Sequence, residues 1–168
     1  MLQLDVARLK RMPGDSARYR QYGRMPPFKI QGESVYSTGP VFIDVVIDNT
    51  GKHLVVEGRA SGKLKLACSR CLEHFDYSFE VPVKEVYTAV PESDAGEAIS
   101  FAGDLLDLTP EITKSIIMHL PMKALCRGEC RGLCPVCGIN LNEGQCRCTG
   151  SDFDPRLTAL KKYFEKNE

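Results

Sequence analysis

Residues 64–81 read LKLACSRCLEHFDYSFEV, and the fold turns on that stretch. Leu64, Leu66 and Cys68 share one face, with Lys63 and Lys65 on the other. Beyond Cys68-Ser69-Arg70-Cys71, the residues Phe75, Tyr77, Phe79 and Val81 share a face opposite His74, Asp76, Ser78 and Glu80. Side chains of a strand alternate between its faces, so these two runs around a tight turn read as an antiparallel hairpin with one buried face. Two cysteines sit at its tip.

The pattern continues on both sides. Upstream, Ile43, Val45 and Ile47 alternate with Phe42, Asp44, Val46 and Asp48. Asn49-Thr50-Gly51-Lys52 supplies a turn, His53 to Ala60 returns as the partner strand, and Ser61-Gly62 reads as the next break. Downstream, Val83 and Tyr87 extend the last strand past Pro82. This is a meander of antiparallel strands. Leu2, Leu4 and Val6 give a further short strand, and Ile99 to Leu108 one more. Residues 91–98, PESDAGEA, read as a surface loop.

Thr109-Pro110-Glu111 announces a helix over 110–120. Thr109 serves as N-cap, Pro110 takes the first helical position, and Glu111 complements the positive end. Ile112, Ile116, Ile117 and Leu120 make its apolar stripe, and Pro121 stops it. A last helix opens at Asp154-Pro155, with Leu157, Leu160 and Phe164 inward and Lys161, Lys162 and Lys166 outward. The fold class is α+β: an antiparallel sheet or partial barrel, one or two packed helices and a C-terminal zinc-knuckle segment. Residues 1–122 form the β-rich core and 123–168 the cysteine-rich segment with the C-terminal helix.

Totals bound the function. The chain has 168 residues and no formal net charge, with 43% hydrophobic and 26% charged residues, so it is globular and whole-molecule charge does not argue for nucleic acid. The neutral total hides two biased regions. Arg8, Lys10, Arg11, Arg18, Arg20, Arg24 and Lys29 face only Asp15 across residues 8–29, and residues 80–111 lean acidic. Residues 7–29, punctuated by Pro13, Gly14, Gly23, Pro26 and Pro27, read as a mobile loop or arm. No apolar run approaches the ~20 residues of a membrane span. The start, MLQLDVARLKRMPG, lacks the apolar core of a signal peptide. Both features point to the cytoplasm and away from membranes.

Cytosolic thiols stay reduced, so the eight cysteines read as metal ligands. They fall into four close pairs: Cys68/Cys71, Cys126/Cys130, Cys134/Cys137 and Cys146/Cys148. Two cysteines two residues apart can grip one ion from a single turn, and a glycine after the second lets backbone amides turn toward the sulfurs. Cys134-Pro135-Val136-Cys137-Gly138 fits fully, while Cys68–Cys71 is followed by Leu72 where glycine would help. Eight thiolates make two four-sulfur sites, and zinc takes four such donors in a tetrahedron. Uniting Cys134/Cys137 with Cys146/Cys148 closes a short loop at low entropic cost, leaving Cys126/Cys130 for Cys68/Cys71. The competing partition joins Cys68/Cys71 with Cys134/Cys137. The spacings match no ferredoxin run, and four thiolates leave no open position for catalytic zinc. His74, three residues after Cys71, lies on the solvent face; His53 and His119 are weaker candidates still.

Two basic regions can meet RNA. The arm interleaves Tyr19, Tyr22 and Phe28 with Arg18, Arg20 and Arg24; cations contact phosphates and rings stack on unpaired bases. Lys123, Arg127, Arg131 and Arg147 surround the knuckles, where they can also soften the charge of thiolate sites. Enzyme signatures are missing: there is no P-loop, dinucleotide fingerprint or HExxH.

Three segments together resemble a known family. These are LxLxCSRCLExF, the later LTPEITKSIIMHLPMKALC, and CRGLCPVCGINLNEGQCRC with DPRLTAL. They look like the bacterial YceD family, related to a plastid group, from about residue 35 onward. The resemblance implies a role in accumulation or processing of large-subunit (23S) ribosomal RNA and association with ribosome assembly, with no established catalysis. Some members lack the cysteine-rich tail, so the metal argument stands on spacing. The expected function is a non-enzymatic ribosome-biogenesis factor, structured by two zinc ions and contacting ribosomal RNA or a large-subunit precursor. The alternative is a protein-interaction module whose acidic 80–111 surface binds a ribosomal protein.

Overall fold

A computed structural model describes residues 2–30, 32–89 and 98–148. The expected loop over 91–98, except its last residue, and the helix from Asp154 lie outside the described residues. The elements in chain order are β1 (Gln3–Asp5), α1 (Ala7–Lys10), β2 (Ser16–Gly23), β3 (Phe28–Ile30), β4 (Glu33–Ser37), β5 (Val41–Asn49), β6 (His53–Ala67), β7 (His74–Thr88), β8 (Ile99–Ser100), β9 (Leu105–Asp107) and α2 (Thr109–His119).

The centre is the β6–β7 hairpin, two 15-residue antiparallel strands in unbroken register from His53↔Thr88 to Ala67↔His74. Even-numbered β6 residues Leu54, Val56, Ala60, Leu64 and Leu66 are buried, as are odd-numbered Phe79, Val81, Val83 and Tyr87 of β7. Period-two alternation thus runs through Ser61-Gly62, where a break was expected. The reason is close packing. A Cβ at Gly58 would lie 2.2 Å from the Asp44 carbonyl oxygen, and one at Gly62 3.0 Å from the Phe79 ring. The glycines let neighbouring strands approach the core face; they do not end the strand. Pro82 sits mid-strand because its carbonyl, and hence its nitrogen, faces away from β6, where Ser115 Oγ donates to it at 2.7 Å.

β5 pairs with β6, and β2 pairs with β5 in register from Ser16↔Asp48 to Gly23↔Val41. This corrects the reading of residues 7–29 as a mobile arm: most of that stretch is a helical turn, a sheet strand of eight residues and the start of β3. Ala17 and Tyr19 pack against the core while Arg18, Arg20 and Tyr22 face outward, so the basic residues are every second residue of a strand. The seven-stranded sheet is completed by β4, β3, β7 and β8.

β1 and β9 form a separate two-stranded ribbon. Residues 99–108 therefore supply two short strands in different sheets. Leu2, Leu4, Val6, Leu106 and Leu108 are all at most 1% exposed and join the main core. Thr109, expected as the cap of α2, has its hydroxyl turned elsewhere: it accepts from the Leu2 amide at 3.0 Å and ties β1 to the helix start. Asp107 Oδ1 accepts from the Thr109 amide at 2.9 Å instead. Ile112 and Ile116 are buried, but Ile117 is 42% exposed and leaves the stripe. Leu120 turns extended before Pro121, as Pro stereochemistry requires. No helix among the described residues is long and apolar enough to cross a membrane.

Candidate metal centre

The hairpin tip is closed by two hydrogen bonds: the Cys68 amide donates to the Glu73 carbonyl and the Leu72 amide to the Cys68 carbonyl, both at 2.9 Å. Leu72 is in the left-handed region at φ +62°. After α2, the chain doubles back so that the Ser69 amide donates to the Ala124 carbonyl at 2.8 Å. Cys126 and Cys130 are thereby delivered to the tip. Cys68 and Cys130 sulfurs lie 3.8 Å apart and Cys71 and Cys126 sulfurs 3.7 Å apart. A tetrahedral zinc with Zn–S near ~2.3 Å requires sulfur–sulfur edges of about 3.8 Å. A disulfide needs ~2.05 Å, so these are separate thiols.

A second group lies beside it. The 134–138 turn repeats the first: the Gly138 amide donates to the Cys134 carbonyl at 2.9 Å, and Gly138 has φ +74°. The residue after the second cysteine is left-handed in both turns. Leu133 pairs with Asn140 in an isolated bridge, and the chain returns to bring Cys146 and Cys148 to Cys134 and Cys137. Within each group the four sulfurs lie within 4.8 Å of one another. The sulfurs thus partition as loop length favoured, and the competing union of Cys68/Cys71 with Cys134/Cys137 does not occur. Each group could hold a metal ion in an all-sulfur set. His53, His74 and His119 belong to neither group; His119 Nδ1 instead lies 2.8 Å from the Ser115 carbonyl.

The electrostatics are those of cation sites. Burial pushes the Cys68 thiol up, but amide donors from Cys71, Cys126 and Arg70 outweigh it and hold the thiol down at about 6. The amides of Cys137 and Val136, with the Cys146 side chain, hold Cys134 at about 6 despite partial burial. Burial and the sulfurs of Cys130, Cys68 and Cys71 push Cys126 up to about 12, and Cys137 chiefly does the same for Cys148. The first group thus lowers Cys68 and Cys130 and raises Cys71 and Cys126, and the second lowers Cys134 and raises Cys146 and Cys148. Four thiolates can coexist only around a cation.

Two side chains not singled out from sequence join the groups. Asn142 Nδ2 donates to the Cys130 sulfur at 3.3 Å while its Oδ1 accepts from the Arg131 amide at 2.9 Å. It stands in the loop of the second group and touches a sulfur of the first. Arg70, inside the first turn, donates from Nη1 to the Cys130 carbonyl at 2.9 Å, and its own carbonyl accepts from the Leu133 amide at 3.2 Å. Only the NLNEG spacing between Cys137 and Cys146 hinted at such a contact.

The cations proposed for RNA differ in their engagement. Arg18 grips Asp44 with two 2.7 Å hydrogen bonds, and Arg20 adds a third at 3.3 Å. The guanidinium of Arg18 above all, with Arg20, holds the Asp44 carboxyl down at about 2. Arg24, Lys123, Arg127, Arg131 and Arg147 are exposed and form no ion pair among the described residues. Three of the described acidic residues of 80–111 are in ion pairs: Glu80 with Arg59, Asp104 with Lys10 and Glu111 with Lys114.

Comparison with known proteins bears on this arrangement. The chain is 24% identical over 166 residues to the uncharacterized protein YlbN of Bacillus subtilis, covering 97% of this chain and 96% of that one. It is 24% and 26% identical to the chloroplastic large ribosomal RNA subunit accumulation protein YCED homolog 1 of Arabidopsis thaliana and of Zea mays. The matches cover 68% and 90% of this chain, and 46% and 64% of those longer proteins. No solved structure matches. The family described as large ribosomal RNA subunit accumulation protein YceD matches residues 56–163, from mid-β6 through both sulfur groups, and the chain belongs to that family.

Proposed function

We propose that the chain is a non-enzymatic cytoplasmic factor that supports accumulation of large-subunit ribosomal RNA, with two zinc ions fixing residues 123–148 and direct contact to ribosomal RNA or a precursor particle. The reading is carried by one coincidence: membership in a family described by large-subunit RNA accumulation, and two compact all-sulfur groups, the first with sulfur–sulfur distances of tetrahedral dimensions. Zinc suits four thiolates in a closed tetrahedron, and such sites are structural. Cys68, Cys71, Cys126 and Cys130 would hold one ion, clipping the segment after α2 onto the hairpin tip. Cys134, Cys137, Cys146 and Cys148 would hold the other. Among the described residues, clusters of three or more potential metal ligands are these two alone, which gives no support to carboxylate-metal cleavage of RNA.

Elemental analysis of protein purified anaerobically without chelator is expected to give about two zinc ions per chain, as the two groups imply. Crosslinking in cell extract is expected to recover large-subunit ribosomal RNA, in a salt-dependent manner weakened by charge reversal at Arg24, Arg127 and Arg131. Turnover of precursor RNA by pure protein would overturn the non-enzymatic reading. Capture of a ribosomal protein, with no RNA and no effect of those reversals, would favour the acidic-surface alternative.

A further inference from the structure

The outer face of the sheet carries a feature the sulfur groups do not use. β6 pairs with β5 as far as Phe42↔Ser61 and with β4 from Ser37↔Leu64, so it changes partner at Gly62 and Lys63. The link from β4 to β5 crosses this junction, its Thr38 amide donating to the Lys63 carbonyl at 3.1 Å. A groove results, lined among others by Tyr22, Pro40, Phe42, Gly62, Lys63 and Phe79. Gly62 and Phe79, register partners on the core side of the β6–β7 pair, reach it at this junction.

Three observations identify an occupant. Tyr22 leans on Phe42, ring centroids 4.9 Å apart, yet remains 70% exposed, so it offers a free π face at the groove wall. Tyr36, on the outward side of β4 beside Lys65, is 48% exposed further along the same face. No carboxylate lines the groove, while Lys63 does and has no ion-pair partner among the described residues. Exposed rings on an antiparallel sheet are stacking platforms for unpaired bases, and an adjacent free cation suits the phosphate.

We propose that this groove binds unpaired nucleotides of single-stranded RNA, a base stacking on Tyr22 and a phosphate on Lys63. The proposal rests on the direct-RNA reading above and assigns its surface. The test is fluorescence anisotropy of zinc-loaded full-length chain with labelled single-stranded oligouridine and oligoadenosine at several salt concentrations. Tyr22→Ala is expected to weaken binding about tenfold, while Tyr22→Phe, which keeps the ring, stays near wild type. Lys63→Glu is expected to weaken binding and lower the salt slope by about one. Wild-type affinity in both Tyr22→Ala and Lys63→Glu overturns the groove; if Arg127→Glu with Arg131→Glu then abolishes binding, direct RNA contact survives at the knuckles. A wild-type chain that binds neither oligonucleotide, yet captures a ribosomal protein, overturns both. Tyr22 and Lys63 are solvent-facing, and unchanged zinc content and thermal midpoint verify that the variants fold.

Discussion

Leu72 and Gly138 hold the same place in two cysteine turns, at φ +62° and +74°. Only one is glycine. A left-handed conformation costs a branched-chain L-residue roughly 1–2 kcal/mol, and Leu72, 63% exposed, recovers little of it by packing. Leu72→Gly is therefore expected to leave stability unchanged or raise it by up to about 1 kcal/mol, because relief of strain is partly offset by chain entropy. Leu72→Val, β-branched, is expected to lower stability by more than about 1 kcal/mol. Denaturant unfolding of the zinc-loaded protein measures both. Asn142 argues from another side. Its amide holds the Cys130 sulfur while its backbone belongs to the second group's loop. Outer contacts of this kind are worth roughly 10–100-fold in metal affinity. Asn142→Ala is expected to weaken zinc at Cys68, Cys71, Cys126 and Cys130 about tenfold. Competition with a chromophoric chelator would detect this as faster loss of one ion of two; unchanged release of both would contradict it.

At the scale of elements, β2 shows how a basic run can be structural. Its arginines alternate with Ala17 and Tyr19, and Asp44 of β5 binds two of them across the strand pair. The Asp44 carboxyl lies at about 2, below its ordinary value. A depressed carboxyl contributes stability that is fully present above its unfolded value near ~4 and is lost as pH falls through its folded one. The β2–β5 pairing is thus expected to weaken between about pH 4 and pH 2. Asp44→Asn should flatten that part of the stability profile while leaving the profile above pH 5 parallel to wild type. Acid titrations followed by circular dichroism compare the two. An unaltered acid limb in the variant would mean that other carboxyls govern it.

For the whole molecule, the apolar core and the first sulfur group are distinct buried clusters that meet at Phe75. The main core runs from Leu2 to Ile116, whereas Cys68, Cys71 and Cys130 form their own buried cluster with Phe75, Leu125 and Cys126 around it. The β6–β7 hairpin needs no cysteine below its tip. Zinc chelation is therefore expected to release residues 123–148 while β5, β6 and β7 stay protected against hydrogen exchange. Cys126→Ser should free the first group alone, and Cys148→Ser the second alone. Global unfolding on chelation would show that the clip holds the sheet as well.

Much of this was legible in the chain. Alternation in 43–47, 64–68 and 75–81 placed three strands, because period two survives wherever one face is buried. Close spacing marked four cysteine pairs, and loop closure ordered them into the two groups the structure shows. Other features were settled only by tertiary contacts. Gly62 looked like punctuation and proved to be clearance for Phe79, as Gly58 is for Asp44, since a missing side chain does not say which neighbour needs the space. Arg18 and Arg20 looked like part of a free arm until β5 supplied the partner strand and Asp44. Thr109 looked like a cap until Leu2, 107 residues away, took its hydroxyl. Local spacing determines which residues share a face or a turn; which distant residue meets them is decided by the packing of the whole chain.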